Sequence, residues 1–116
     1  MTPDDFRHLA LSLPEAVEVY RWGRSDFRVA RKAFANLEGP ADSVAVVKLT
    51  PEQQSMFRLA SPGTFAPVTG NPGWLGCTNV LLASAKAAIV ENALSVAWRN
   101  VAPKSLLERI DEHAAL

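Results

Sequence analysis

A chain of 116 residues is long enough to bury one core and too short for two, so one domain over residues 1–116 is expected. Twelve Lys and Arg balance twelve Asp and Glu, which excludes a chain-wide basic field that would draw the protein to nucleic acid or anionic lipid. The single cysteine, Cys77, excludes an intrachain disulfide and a cysteine-based zinc cluster, and reads as a small buried apolar residue in a reducing compartment.

Taken in order, Met1-Thr2-Pro3-Asp4-Asp5 is acidic and lacks the basic, then apolar, pattern of a secretory signal. The longest apolar runs are broken by Lys86 or Glu91, so a cytoplasmic protein with no membrane partner is expected. Thr2 supplies a hydroxyl cap, Pro3 suits a first helical position and Asp4 and Asp5 fall in the first turn, so a helix should begin here. Phe6, Leu9, Ala10 and Leu13 recur at helical spacing until Pro14 disfavours continuation. His8 lies off that stripe and, with only His113 as a second histidine, forms no metal-ligand cluster.

From Val17 the pattern becomes a meander of extended runs, Val17 to Trp22, Asp26 to Ala30, Ala33 to Glu38 and Ser43 to Leu49. Gly23 and Ser25 mark the first turn and Gly39-Pro40-Ala41-Asp42 the third, while Arg31-Lys32 lacks the Gly or Asn of a tight hairpin. Alternation makes Val17, Val19, Phe27, Val29, Val47 and Leu49 the expected inward residues.

Thr50-Pro51-Glu52-Gln53 repeats the cap logic, with Gln53 placed to reach back to the cap backbone. A second helix to about Ala60 has Met56, Phe57, Leu59 and Ala60 as its apolar side, and Ser61-Pro62-Gly63 stops it. Thr64 to Val68 suits a short strand. Gly70, Pro72 and Gly73 then form a turn leading into an inner strand from Trp74 to Leu82. Trp74, Thr78, Val80 and Leu82 would share one face, and Leu75, Cys77, Asn79 and Leu81 the other. Ser84 is the expected cap of a long helix whose apolar face is Ile89, Val90, Ala93, Leu94, Ala97, Trp98 and Val101. Pro103 opens a new helix carrying Leu106, Leu107 and Ile110. These elements imply an α+β fold of two layers, an antiparallel sheet (meander plus a late long strand) with helices packed on one face.

Four stretches carry a resemblance: Phe6-Arg7-His8-Leu9-Ala10-Leu11-Ser12-Leu13-Pro14-Glu15; Asp26-Phe27-Arg28-Val29 with Lys32-Ala33-Phe34-Ala35; Val47-Lys48-Leu49-Thr50-Pro51-Glu52-Gln53-Gln54; and Ala97-Trp98-Arg99-Asn100-Val101-Ala102-Pro103-Lys104. In this order, over nearly the whole chain, they resemble the MmcQ/YjbR family. The resemblance implies a frataxin-like (CyaY-like) or secretion-chaperone-like fold and brings no catalytic residue set or cofactor. Family members are often labelled DNA-binding, a label that rests on fold comparison, and fold does not fix function.

One feature of the residues bears on that label. Arg21, Arg24, Arg28, Arg31 and Lys32 face the single acid Asp26 over twelve positions, a local surplus of four, with Trp22 and Phe27 interleaved. A basic hairpin can set guanidinium groups on phosphates while an aromatic ring stacks on an unpaired base. Lys48 and Arg99 would extend the patch if the fold brings them near. The competing reading is that these are solvated outward residues of two-faced strands.

Other chemistry has less support. The glycine-rich run Gly70 to Gly76 leads into a strand, so no helix N-terminus meets a phosphate there. Asp4, Asp5, Glu15 and Glu18 suit capping and solvation better than iron binding, and Cys77 has no local His to activate it. The expectation is a binding protein rather than an enzyme, without cofactor or metal. Its partner would be DNA, bound weakly and with little sequence preference through the basic hairpin; the alternative is a protein-interaction or small-ligand module.

Overall fold

The computed structural model describes residues 1–37, 44–69 and 75–114, without the side chains of 112–114. The expected turn at Gly39 to Asp42, the turn at Gly70 to Gly73, Trp74 and the side chain of His113 lie outside these residues.

Two helices start as their capping chemistry dictates. In α1 (Pro3–Leu11) the Thr2 hydroxyl accepts from the Asp5 amide at 3.1 Å and the Asp5 carboxylate accepts from the Thr2 amide at 2.9 Å. In α2 (Pro51–Ala60) Thr50 and Gln53 form the same reciprocal pair. The long helix α3 (Ala87–Val101) differs from expectation. Its cap position is Lys86 with no side-chain cap, because Leu82–Ser84 first makes a short 3₁₀ turn and the Ser84 hydroxyl donates instead to the Gly63 carbonyl at 2.7 Å. Beyond Pro103 a separate helix, α4 (Lys104–Ala114), follows as expected.

The strands β1 (Val17–Arg21), β2 (Arg24–Val29), β3 (Lys32–Leu37), β4 (Val44–Lys48), β5 (Phe65–Pro67) and β6 (Cys77–Leu81) form one sheet in the order β1-β2-β3-β4-β6-β5, antiparallel at every pairing. The late strand is an inner one, as its apolar faces suggested, but it is five residues long, and Leu75 and Gly76 belong to the turn before it. Gly76 is required there: its φ is +88°, and a Cβ would lie 2.2 Å from the Leu49 carbonyl oxygen.

Burial divides the sheet. Phe27, Ala35, Val47 and Thr78 stand level with one another on neighbouring strands and are all buried beneath the helices. α3 packs on β3 and β4, α1 on α3 and β3, and α2 on β5 and β6 through a Phe57–Phe65 contact with ring centroids 5.3 Å apart. Phe6 of α1 meets Phe27 edge-to-face at 6.0 Å. Trp98, buried in the stripe of α3 as predicted, donates its indole N–H to the Pro14 carbonyl at 3.0 Å and so anchors the segment after α1.

Four further expectations need correcting. Val17 and Val19 are level with Arg28 and Asp26, on the face the helices leave open, and Val17 is 54% exposed. Glu18 takes the inward place instead, because Arg7 donates to its carboxylate at 3.1 Å and Ser25 also donates to it, which satisfies the charge. The second hairpin turns at Ala30-Arg31, where both residues take positive φ (49° and 71°) without glycine; β2 and β3 on either side, with a bulge at Phe27/Arg28, hold this tight turn. In α2, Met56 and Leu59 are exposed, because the helix rests on the edge of the sheet through Phe57 alone among its larger apolar residues. Cys77 is only partly buried, since its parity places it on the open face.

Candidate functional site: the open face of the sheet

The face without helices carries a different row of residues. Asp26, Asn36, Val46 and Asn79 stand level across β2, β3, β4 and β6, each adjacent in sequence to a buried residue of the covered face. On β2 this face presents Arg24, Asp26 and Arg28; Asp26 lies between the two arginines, 3.2 Å from Arg24 and 3.1 Å from Arg28. Arg21 is directly opposite Arg24 at the hairpin end. Two like charges facing each other across strands are unfavourable for the fold alone.

The hairpin tip holds a second local conflict. Trp22 and Gly23 form its two-residue turn, with φ of 55° and 78°, a geometry that favours Asn-Gly. A bulky aromatic in the left-handed region is an outlier costing on the order of 1 kcal/mol or more. Trp22 gains no burial in return, being 98% exposed.

The eight residues proposed from sequence do not form one patch. Arg21, Trp22 and Arg24 cluster at the hairpin tip. Arg28 shares their face one strand repeat or more further along β2, and Asp26 pairs with both it and Arg24. Arg31 and Lys32 sit at the other end of β2, about 20 Å away at the usual rise per strand residue. Lys48, at the end of β4, is opposite Cys77 of β6 and exposed. Arg99 projects from α3 and pairs with Asp111 of α4 at 3.2 Å, on the helical side of the molecule.

Between the hairpin tip and the end of β4 lies a cavity of about 570 Å³. Arg24, Asn36, Val46, Lys48 and Cys77 line it from the sheet, and Leu75 and Asn100 stand among its other walls. Its Lys48 corner is held firmly: Asn100 donates to the Lys48 carbonyl at 3.0 Å and exchanges hydrogen bonds with Gln53. Gln54 in turn donates to the Cys77 carbonyl and the Thr78 hydroxyl, fixing β6 beside it. Lys48 has no ion-pair partner among the described residues. The Asn36 side-chain oxygen is buried without a hydrogen-bond partner among the described residues, as is the Nε of Arg28. Asn36 was not singled out from sequence, although an amide in the middle of Ala33 to Leu37 is the kind of polar interruption that marks it. Among the described residues no group of His, Cys, Asp or Glu is placed to hold a metal ion, and no helix is long and apolar enough to cross a membrane.

Comparison with known proteins places this architecture. No curated protein matches the sequence significantly. The fold is similar to the crystal structure of Deinococcus radiodurans protein DR2400, whose family-model domain is DUF419, with a TM-score of 0.72 at 21% identity over 90% of this chain and 80% of that one. The YjbR family model matches residues 11–100, a span that runs from the end of α1 to the last turn of α3 and so takes in every strand and the cavity; on that match the chain belongs to the YjbR family.

Proposed function

We propose that the protein is a binding module rather than an enzyme, and that it holds single-stranded nucleic acid weakly and with little sequence preference at the tip of the β1–β2 hairpin. The observation that carries this reading is Trp22, a solvent-exposed indole held in a left-handed turn and flanked by Arg21 and Arg24. Residues that violate local preference without a packing gain point to function. An unburied ring offers a surface for an unpaired base, and the adjacent guanidinium groups can contact the phosphates on either side. The overall neutrality of the chain supports weak binding, with no long-range field to add to the local contacts.

Fluorescence-anisotropy titration of single-stranded DNA at several salt concentrations tests it. With two or three phosphates engaged, the logarithm of affinity should fall against the logarithm of salt with a slope of about −1.5 to −2. Trp22→Asn should abolish binding while raising stability by about 0.5–1 kcal/mol, because Asn-Gly is the preferred pair for this turn. No binding at low salt, or undiminished binding by the variant, removes the reading.

A second reading, a protein-interaction module, has its own support in α2, where Met56 and Leu59 are 69% and 85% exposed. Binding of that kind would respond little to salt and would survive Trp22→Asn.

A further inference from the structure

We propose that the cavity on the open face is a binding site for a small organic anion, an apolar body carrying one acidic group, with that group at Lys48 and the body against Val46, Val68 and Leu75. The site goes beyond the hairpin reading above and does not rest on it.

Three observations define the ligand. The volume, about 570 Å³, falls in the range in which pockets enclose a small organic molecule. Among the described residues that line the cavity the charged ones, Arg24 and Lys48, are both cations, with no carboxylate in the wall. Asp26 offsets part of the Arg24 charge from 3.2 Å, whereas Lys48 has no ion-pair partner among the described residues, so an entering anion is drawn chiefly to Lys48. The third observation is a braced apolar wall. Leu75 is 79% exposed, yet the turn that carries it is fixed, because Gly76 packs so closely that a Cβ there would lie 2.2 Å from the Leu49 carbonyl oxygen. The Val68 amide donates to the Cys77 carbonyl at 3.0 Å, and Asn100 holds the Lys48 carbonyl from the other side. These walls stand in place before any ligand arrives, so little conformational freedom is lost on binding, and an apolar body that covers Val46, Val68 and Leu75 removes their surface from water. An inorganic anion would leave that surface wet, and a neutral apolar molecule would leave Lys48 unused.

The test is an amide-resolved NMR titration of the protein with 2-naphthoate, with 2-naphthamide, acetate and 2-naphthyl phosphate as comparison probes. 2-Naphthoate should shift the resonances of Val46, Lys48, Val68, Leu75 and Cys77 together. 2-Naphthamide, the same body without the charge, should bind about threefold or more weakly, and acetate should shift none of them at the same concentration. Lys48→Met should weaken 2-naphthoate about three- to tenfold, the scale of one charge-assisted contact at an exposed lysine, and leave 2-naphthamide unchanged. Leu75→Ala should weaken the two alike. Both replaced side chains are exposed, so the denaturation midpoints should stay at the wild-type value, and if either variant fails to fold the wild-type preference for 2-naphthoate over 2-naphthamide and acetate still decides. Trp22→Asn should leave 2-naphthoate binding unchanged, so failure of the hairpin reading and failure of the cavity reading are separable. Tighter binding of 2-naphthyl phosphate than of 2-naphthoate identifies a phosphate monoester as the acidic group, and the reverse order identifies a carboxylate. No shift at the cavity with millimolar 2-naphthoate, equal affinity for 2-naphthamide, or undiminished binding by Lys48→Met overturns the proposal.

Discussion

The two faces of the sheet are made by the same strands, one residue out of step. Across the covered face run Phe27, Ala35, Val47 and Thr78, all buried; across the open face run Asp26, Asn36, Val46 and Asn79, all partly exposed. The first row is closed by α1, α2 and α3 and contributes the stability of the fold. The second holds charges, carboxamides and the cavity wall, with unsatisfied atoms that the covered face would not tolerate. The difference shows that alternation along a strand separates folding from binding at single-residue resolution, so neighbouring residues should respond to mutation very differently.

The largest effect is expected where the helical layer meets the covered face. Trp98→Ala removes a buried indole and its hydrogen bond to Pro14, leaving a cavity between α3 and the segment after α1. A loss of about 3–5 kcal/mol in urea denaturation is expected. An unchanged midpoint would mean that the helices do not close this face.

A sharper version uses two neighbouring valines on β4. Val47→Ala deletes two methyl groups from a fully buried side chain and should cost about 1–3 kcal/mol. Val46→Ala deletes the same groups on the open face and should change stability by no more than about 0.5 kcal/mol. Equal effects at the two positions would break the comparison between the faces.

What could be read from the sequence follows the same division. The capping boxes at Thr2 and Thr50, the stripe of α3 and the break at Pro103 depend on residues within a few positions of one another, and each appears where its local chemistry puts it. The choice of which face of β1 turns inward is not local. Val17 and Val19 look like core residues until Arg7 and Ser25 satisfy Glu18 and make the polar side the inner one. Cys77 illustrates the same limit: its parity with Asn79 and a sheet with helices on one face were legible, but which face of this strand the helices would cover was not. The basic run from Arg21 to Lys32 was legible as charge, yet β2 carries its two ends to opposite ends of the sheet. Asn36 and Asn100 meet around one cavity only through tertiary structure, and neither has a spacing signal along the chain.

The smallest expected effect lies away from both faces, in the cap that starts α1. The backbone hydrogen bond from Thr2 is the main cause holding the Asp5 carboxyl below its ordinary value of 3.8, with the Thr2 side chain next, desolvation opposing, and the N-terminal ammonium and His8 adding smaller attractions. A folded-state value below the unfolded one means that the unfolded chain binds more protons in the acid range. The stabilisation is therefore complete above the unfolded value and is lost as pH falls through the folded one. Asp5→Asn keeps an oxygen that can accept from the Thr2 amide and removes the titration. Wild type should be the more stable protein near neutral pH, and the difference in denaturation midpoint should shrink steadily below the ordinary carboxylate value. Because Asp5 is on the surface, this dependence should be weakened by salt, whereas the contrast between Val47 and Val46 should not. A difference between wild type and Asp5→Asn that stays constant through the acid range would show that the carboxylate charge contributes nothing to the cap.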